Sequence, residues 1–490
     1  LVGQSDKSVT YYTMSLRVKK DIGDMTGEAR CLVRIGLEFL SLNELQRAFE
    51  AFTEALHMFE RLEDDHGISI CYENLGDTYM KMGEVKQAIF SFDRCLPIKV
   101  ETWDKIGEAQ CLDNLGLAHY SMGELRLAAE YYEQSMAIWK AEGNKQCLMA
   151  CCESLGSVAF QLGEHMRSIE CYVQHLTLSQ EIGDGAADHE ILLRLGLSNA
   201  AIGEHQVALQ FLQQAMSFYI ELHDVANRAL CLQHIGSVYG RLGDSEEGMR
   251  SLEESMKLRT EAVDKLGIAD CFQEMGLLCY NQKDQHRARG FFGQAQRLIA
   301  ETNDKASIAT CTMHIGATYV AQGEIKEGIQ QFKTALMADV DGNWAGKVDC
   351  LNHLGAAQTR LGDPQATKSF ELALSNLRDK GFRAEEANML VQLAQAHCKL
   401  RDFRAALERL EQCLEVRKSF NDKRGQAEVL IRLVYLHTSL RNFTHAQDAL
   451  EECTALCAEL GDQLSQIEVL NARAILLVHQ GRVREAIAKN

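Results

Sequence analysis

Residues 71–84 read CYENLGDTYMKMGE, residues 111–124 read CLDNLGLAHYSMGE and residues 151–164 read CCESLGSVAFQLGE. The same line returns every 40 residues. Aligned on the glycine of the NLG triplet, the register runs Gly36, Gly76, Gly116, Gly156, Gly196, Gly236, Gly276, Gly316 and Gly355, and Ala394, Val434 and Ala474 continue it. Two intervals shorten to 39; the second loses its residue between Gly362 and Phe370, beside Pro364. A period of this length signals a solenoid, in which each unit buries its apolar face only against its neighbours.

The pattern inside one unit decides the kind of solenoid. After Asp104, the stretch KIGEAQCLDNLGLAHYS carries Ala109, Leu112, Leu115, Gly116 and Ala118 at spacings near 3, 4 and 7, which predicts an amphipathic helix, helix A. Gly123 follows, suited to the left-handed backbone that ends a helix, and a second helix, B, begins in LRLAAEYYEQSMAIW. The turn glycine recurs at Gly83, Gly163, Gly203, Gly243, Gly323, Gly362 and Gly481, with Asn43, Lys283, Arg401 and Arg441 in the other units. Ahead of each helix A stand Asp24, Asp64, Asp104, Asn144, Asp184, Asp224, Asp264, Asp304, Asn343, Asp422 and Asp462, short acceptors suited to an N-cap. Two antiparallel helices per unit follow.

The recurring cysteine lies five residues before the register glycine, at Cys31, Cys71, Cys111, Cys151, Cys231, Cys271, Cys311 and Cys350, and Ile191, Met389, Val429 and Val469 replace it elsewhere. Apolar substitutes and one thiol per layer predict a small buried packing residue, not a metal ligand or redox pair. The register glycine predicts close helix approach. Small residues twelve positions later, at Ala48, Ala88, Ala128, Ser168, Ala208, Gly248, Ala288 and Gly328, are expected to supply the matching contact from helix B.

Composition narrows the class further. Only Pro97 and Pro364 occur in 490 residues, consistent with an all-α chain. No apolar run approaches the roughly 20 residues that cross a bilayer, so no membrane insertion is expected. A net charge of -18 without a basic cluster opposes nucleic acid and anionic lipid as partners. Seventeen cysteines in a long helical chain predict a reducing, cytoplasmic compartment, not a disulfide framework, and Asn442-Phe443-Thr444 as a lone glycosylation triplet leaves that unchanged.

The order Leu-Gly-x-x-Tyr, turn glycine, then small and aromatic residues, seen in ENLGDTYMKMGEVKQAIFSF (Glu73 to Phe92), resembles the tetratricopeptide repeat over essentially the whole chain. The resemblance implies a right-handed superhelical α-solenoid of stacked antiparallel helix pairs. The usual unit of that family has 34 residues and a proline after helix B; here it has 40 and lacks that proline, so longer helices are expected. The longer unit, with aspartate at the join, is similar to the subgroup of spindle-orientation adaptors and rapsyn. Neither an acidic-glutamine G-protein regulatory motif nor a zinc-binding RING segment is present, so neither specific function transfers. The expected organisation is one continuous solenoid: residues 1–23 as half a unit matching helix B, residues 24–462 as eleven units, and residues 463–490 as the start of a twelfth, broken off at REAIAKN. Ends without polar caps lead us to expect a piece of a longer protein, or ends that dock on something.

The family's inner helices A line a concave groove, so the resemblance makes the exposed A positions the candidate protein-binding residues, lying six and two before the register glycine and one and four after. They include Arg34, Asn74, Asn114, Arg194, His234, Glu274, His314, His353 and Arg432 in one register, Asp270 and Asp349 in another, and Glu73, Asp77, Asp113 and Glu153 nearby. Two readings stand beside each other: an acidic groove selecting Lys- or Arg-bearing segments, or acid spread over the surface of a -18 chain. His234, His314 and His353 share a register, but layers 8–10 Å apart hold imidazoles too far apart for one ion, and no metal or cofactor is expected. Asn74 and Asn114 lack the flanking cations of the family's carboxylate clamp.

Chemistry is sparse. Gly342-Asn-Trp-Ala-Gly346-Lys347-Val348 is one residue short of a phosphate loop, lacks its Ser or Thr and follows no strand. No catalytic serine, zinc or close dicysteine motif occurs. An interaction scaffold or adaptor, not an enzyme, is the expected function. The alternatives are a self-assembling element, since oligomerisation is open, or a regulatory arm of a larger protein.

Overall fold

The computed structural model describes residues 2–183, 185, 188–302, 304–338, 343–460 and 463–482. Asp184, Gly342, Asp462 and the REAIAKN ending, each used above, lie outside the described residues. Among the described residues every element is a helix. The chain divides into two compact units, residues 1–204 and residues 205–490.

The first unit holds α1 (Val2–Asp21), α2 (Met25–Ser41), α3 (Leu45–Leu62), α4 (Asp65–Met82), α5 (Val85–Glu101), α6 (Lys105–Ser121), α7 (Leu125–Glu142), α8 (Lys145–Gln161), α9 (His165–Ile182) and α10 (Asp188–Ile202). The second holds α11 (His205–Glu221), α12 (Val225–Leu242), α13 (Ser245–Glu261), α14 (Lys265–Asn281), α15 (Gln285–Ala300), α16 (Lys305–Gln322), α17 (Ile325–Ala338), α18 (Trp344–Leu361), α19 (Gln365–Lys380), α20 (Arg383–Lys399), α21 (Phe403–Ser419), α22 (Lys423–Ser439), α23 (Phe443–Leu460) and α24 (Gln463–His479). Even-numbered helices are the A helices and odd-numbered ones the B helices. Most run 17 or 18 residues, as a 40-residue unit requires.

The punctuation follows the expected chemistry. Asp24, Asp64, Asp104, Asn144, Asp224, Asp264, Asp304, Asn343 and Asp422 each cap an A helix, the side chain accepting from a backbone N–H two or three residues on. At the A–B turn Gly83 has φ +80°, and Asn43, Lys283, Arg401 and Arg441 adopt the same left-handed backbone.

The register glycine is filled from helix B in a way the sequence reading only half anticipated. A Cβ on Gly36 would lie 2.6 Å from the Phe52 ring, on Gly156 2.6 Å from Tyr172 and on Gly276 2.5 Å from Phe292. The space is taken by an aromatic sixteen residues on, and the small residue at twelve rests on the glycine's own carbonyl: Ser168 Oγ donates to the Gly156 carbonyl at 2.9 Å. Phe52, Phe92, Tyr172 and Phe292 are almost fully buried. Each such ring contributes roughly 2–3 kcal/mol of apolar burial.

The cysteine column is buried as expected, Cys31 less completely than the others. Its thiols also make a specific contact: Cys111 donates to the Phe92 carbonyl at 3.2 Å, Cys151 to Tyr132 at 3.2 Å and Cys350 to Phe332 at 3.3 Å. A cysteine here packs like a small hydrophobe while donating weakly to the preceding B helix. Burial pushes the Cys71, Cys231 and Cys311 thiols up to about 12, which keeps them protonated and unreactive.

A further tie at the joins was not read from sequence. Lys99, Arg259 and Arg417 are buried near the ends of α5, α13 and α21 and reach the capping aspartate of the next A helix: Lys99–Asp104 at 3.0 Å, Arg259–Asp264 at 3.4 Å and Arg417–Asp422 at 3.2 Å. Each also grips its own layer, Lys99 on Glu73 at 3.4 Å, Arg259 on Gln233 at 2.6 Å and Arg417 on Asn388 at 3.1 Å. Gly107, Gly267 and Gly425, three residues after those aspartates, leave the path of the cation open, because a Cβ there would meet the Lys or Arg side chain.

Candidate functional site

Within each unit some successive A helices pack against one another as well as against B helices: α2 on α4 and α4 on α6, then α12 on α14, α16 on α18, α18 on α20 and α22 on α24. Among the described residues successive B helices do not approach in this way. The A helices therefore lie on the inner side of the curvature within each unit.

On that face the position two before the register residue meets the position one after it in the preceding layer. Asn114 Nδ2 donates to Asp77 at 3.3 Å, and Arg194 donates to Ser157 Oγ at 2.7 Å while its other nitrogen holds Glu190 at 2.6 Å. Glu274 accepts from Ser237 in the same register. His314 and His353 instead stack on B-helix rings of the preceding layer, Phe292 at 5.1 Å and Phe332 at 5.8 Å between centroids.

Several expected groove acids turn out to have internal partners. Glu73 faces the buried Lys99, and Asp113 accepts from the Trp139 indole at 2.8 Å. Asp77 is bonded to Asn114, and burial pushes its carboxyl up to about 6, with the nearby Glu73 adding to the rise. Asn74 donates to the Ile70 carbonyl of its own helix. Arg34 stands exposed, and Glu153 is half-buried. Much of the early A face is thus engaged in bonds within its own helix pair, with Asp77–Asn114 joining two layers. Part of the signal was present in the sequence: Lys19, Lys99, Arg259 and Arg417 stand in a column that elsewhere holds Phe59, Trp139, Ser179, Tyr219, Ile299, Asp339, Leu377 and Cys457.

The second unit differs. Asp270, Asp349 and His353 are exposed, and His234, Glu274 and His314 half-buried. Burial raises the carboxyls of Asp270, Glu274, Asp349 and Glu385 and pushes His234 and His314 down to about 4. These side chains keep contact with water yet lose part of their hydration to neighbouring side chains. At pH 7 the three histidines are neutral, His353 being lowered by the same cause. Arg432 is paired with Glu428 at 2.6 Å. Among the described residues no three His, Cys, Asp or Glu side chains converge as a metal site would need. No described helix is long and apolar enough to cross a membrane.

Tetratricopeptide-repeat patterns match residues 67–141, 148–221, 229–261 and 390–424. These stretches are tetratricopeptide repeats. Each matched span covers an A–B pair or two. Among solved structures, aspartyl phosphate phosphatase F from Bacillus subtilis is 13% identical, with 69% of this chain and 92% of that one covered and a TM-score of 0.46. Yeast Tom70 is 16% identical over 94% of this chain and 90% of its own, with a TM-score of 0.43. A Rap protein complexed with competence and sporulation factor is 15% identical over 72% and 99%, also at 0.43. No curated protein sequence matches the chain.

Proposed function

We propose that this protein is a scaffold or adaptor that holds a segment of a partner protein along the inner A face. The observation that carries the reading is the split between frame and face. The frame varies within narrow bounds, the register residue being Gly, Ala or Val, its filling side chain Phe, Tyr or Leu and the cap mostly Asp or Asn, while the residues two before the register glycine run Arg34, Asn74, Asn114, Arg194, His234, Glu274, His314 and His353. Packing does not require that variety. The 40-residue unit with aspartate at its join supports placement beside the long-repeat adaptors of the spindle-orientation and rapsyn type.

The preferred partner segment is basic, and the stretch that selects it is narrower than the whole face. Glu73, Asp77 and Asp113 are engaged internally, which leaves Asp270, Asp349 and Glu385 in the second unit as the carboxylates lining the wall, with Glu274 beside them accepting from Ser237. An arriving Lys or Arg would draw these crowded carboxyls into their charged form, so binding strengthens as pH rises through their raised values. The test uses a fluorescein-labelled peptide alternating Lys and Ala, followed by anisotropy. Asp270→Lys with Asp349→Lys should weaken binding about ten-fold. Glu253→Lys with Glu327→Lys, on exposed B positions, should change it less than two-fold by comparison. Equal losses from both pairs would reduce the acidic wall to general surface charge.

A further inference from the structure

Between α20 and α22 the inner face opens into a cavity of about 610 Å³. Val391 and Ala394 of α20, Phe403 and Leu410 of α21, and Tyr435 and Leu436 of α22 form its apolar walls. That size lies within the range of ligand pockets and exceeds one aromatic side chain. The neighbouring A pairs α18–α20 and α22–α24 pack together, whereas α20 and α22 do not approach to that degree. Gln395 and Arg432 occupy the two register positions that are bonded in the Asp77–Asn114 layer, yet among the described residues no bond joins them, and both line the cavity.

The walls are apolar but the mouth is cationic. Lys399 is exposed at the end of α20 and, among the described residues, has no ion-pair partner. Arg432 and the buried Arg417 share one carboxylate, Glu428, at 2.6 and 3.8 Å. The Nε of Arg432 is buried without a hydrogen-bond partner. We infer that this cavity receives a partner segment that inserts one or two large apolar side chains and places a carboxylate beside them, against Lys399 and Arg432. An apolar anchor supplies the affinity, and the guanidinium and ammonium at the rim select acid over base. The inference rests on the reading that the inner A face binds protein segments, and it assigns this layer the opposite charge preference from the wall around Asp270 and Asp349.

The probe is a fluorescein-labelled peptide, Glu-Leu-Phe-Glu-Leu-Glu, titrated by anisotropy against the full chain. Saturable binding is expected. It should weaken about ten-fold with Lys399→Glu, and to a similar degree with Gln395→Trp, which projects an indole into the mouth from an exposed position. Both variants change surface residues and should melt with the parent chain. The same peptide with Gln in place of Glu should bind about ten-fold more weakly, and Glu253→Lys, on an exposed B position, should leave the acidic peptide's affinity within two-fold. Absence of saturable binding, or indifference to both Lys399→Glu and Gln395→Trp, overturns the assignment. Retained binding of the Lys–Ala peptide in that case would confine the failure to this cavity and leave the wider reading standing.

Discussion

Arg194 and Arg432 stand at the same register position, and each holds a glutamate one turn back at 2.6 Å. Arg194 also reaches across to Ser157 at 2.7 Å and closes its layer; among the described residues Arg432 makes no such bond, and a cavity of about 610 Å³ lies beside it. The register residue differs as well, Gly156 and Gly196 around the closed layer, Ala394 and Val434 around the open one. One repeat frame therefore supports two kinds of inner surface. A ring pressed into a glycine notch with a polar rung accompanies the closed layer at Arg194; at Arg432 a side chain stands in place of the glycine and a cavity lies beside it, although α22 and α24, with Val434 and Ala474, pack together.

The largest contrast should come from the notch itself. Gly156→Val would set a side chain 2.6 Å from the Tyr172 ring and should cost about 3 kcal/mol in urea unfolding. Ala394→Val, whose extra methyls face a cavity, should cost less than about 1.5 kcal/mol. Equal losses would erase the distinction between the two layers. Next, Lys99→Met and Arg417→Met should each cost about 2 kcal/mol, since the bonded Asn114 layer and the Arg432 layer keep the same cation–aspartate tie. Asp104 is held below its ordinary value, burial opposing while the Gly107 amide and Lys99 prevail. A depressed carboxylate contributes stability above its unfolded pKa and loses it as pH falls through the folded one, so the Lys99→Met loss should shrink below about pH 4. If only one of the two variants is destabilised, the open layer differs in its tie and not in its notch.

A smaller effect concerns the crowded wall. His314 is lowered to about 4 by burial, with His353 adding to it, so the unfolded chain takes up a proton first as pH falls from 6.5. Stability should decline over that window, and His314→Asn should remove on the order of 1 kcal/mol of the decline between pH 7 and 5, read from melting curves. An unchanged slope would mean that the wall is better hydrated than its packing implies. The smallest difference should be Ser157→Ala, about 1 kcal/mol, against Gln395→Ala, below about 0.5 kcal/mol.

The helix pairs, their caps and their turns were legible because each rests on local chemistry repeated many times: Asp104 and its equivalents need only the amides of the next turn, and Gly83 only its own backbone. The use of the inner face was less legible. Glu73 reads as a groove acid until Lys99, twenty-six residues later, is known to be buried against it. Asp113 likewise depends on Trp139. Such pairings lie between helices, and a one-layer reading of positions around the register glycine does not contain them. The cavity was invisible for a related reason: Gln395 and Arg432 are polar residues like those that bond across sealed layers, and whether they bond depends on how α20 and α22 meet, which a one-layer reading does not contain.

The most direct test of the inner face as the binding surface is hydrogen–deuterium exchange of the full chain with and without the bound Lys–Ala peptide. The account predicts new protection in A helices, centred on α14, α16 and α18 where Asp270, Glu274, His314, Asp349 and His353 lie. Protection confined to B helices such as α13, α15 and α17 would contradict it.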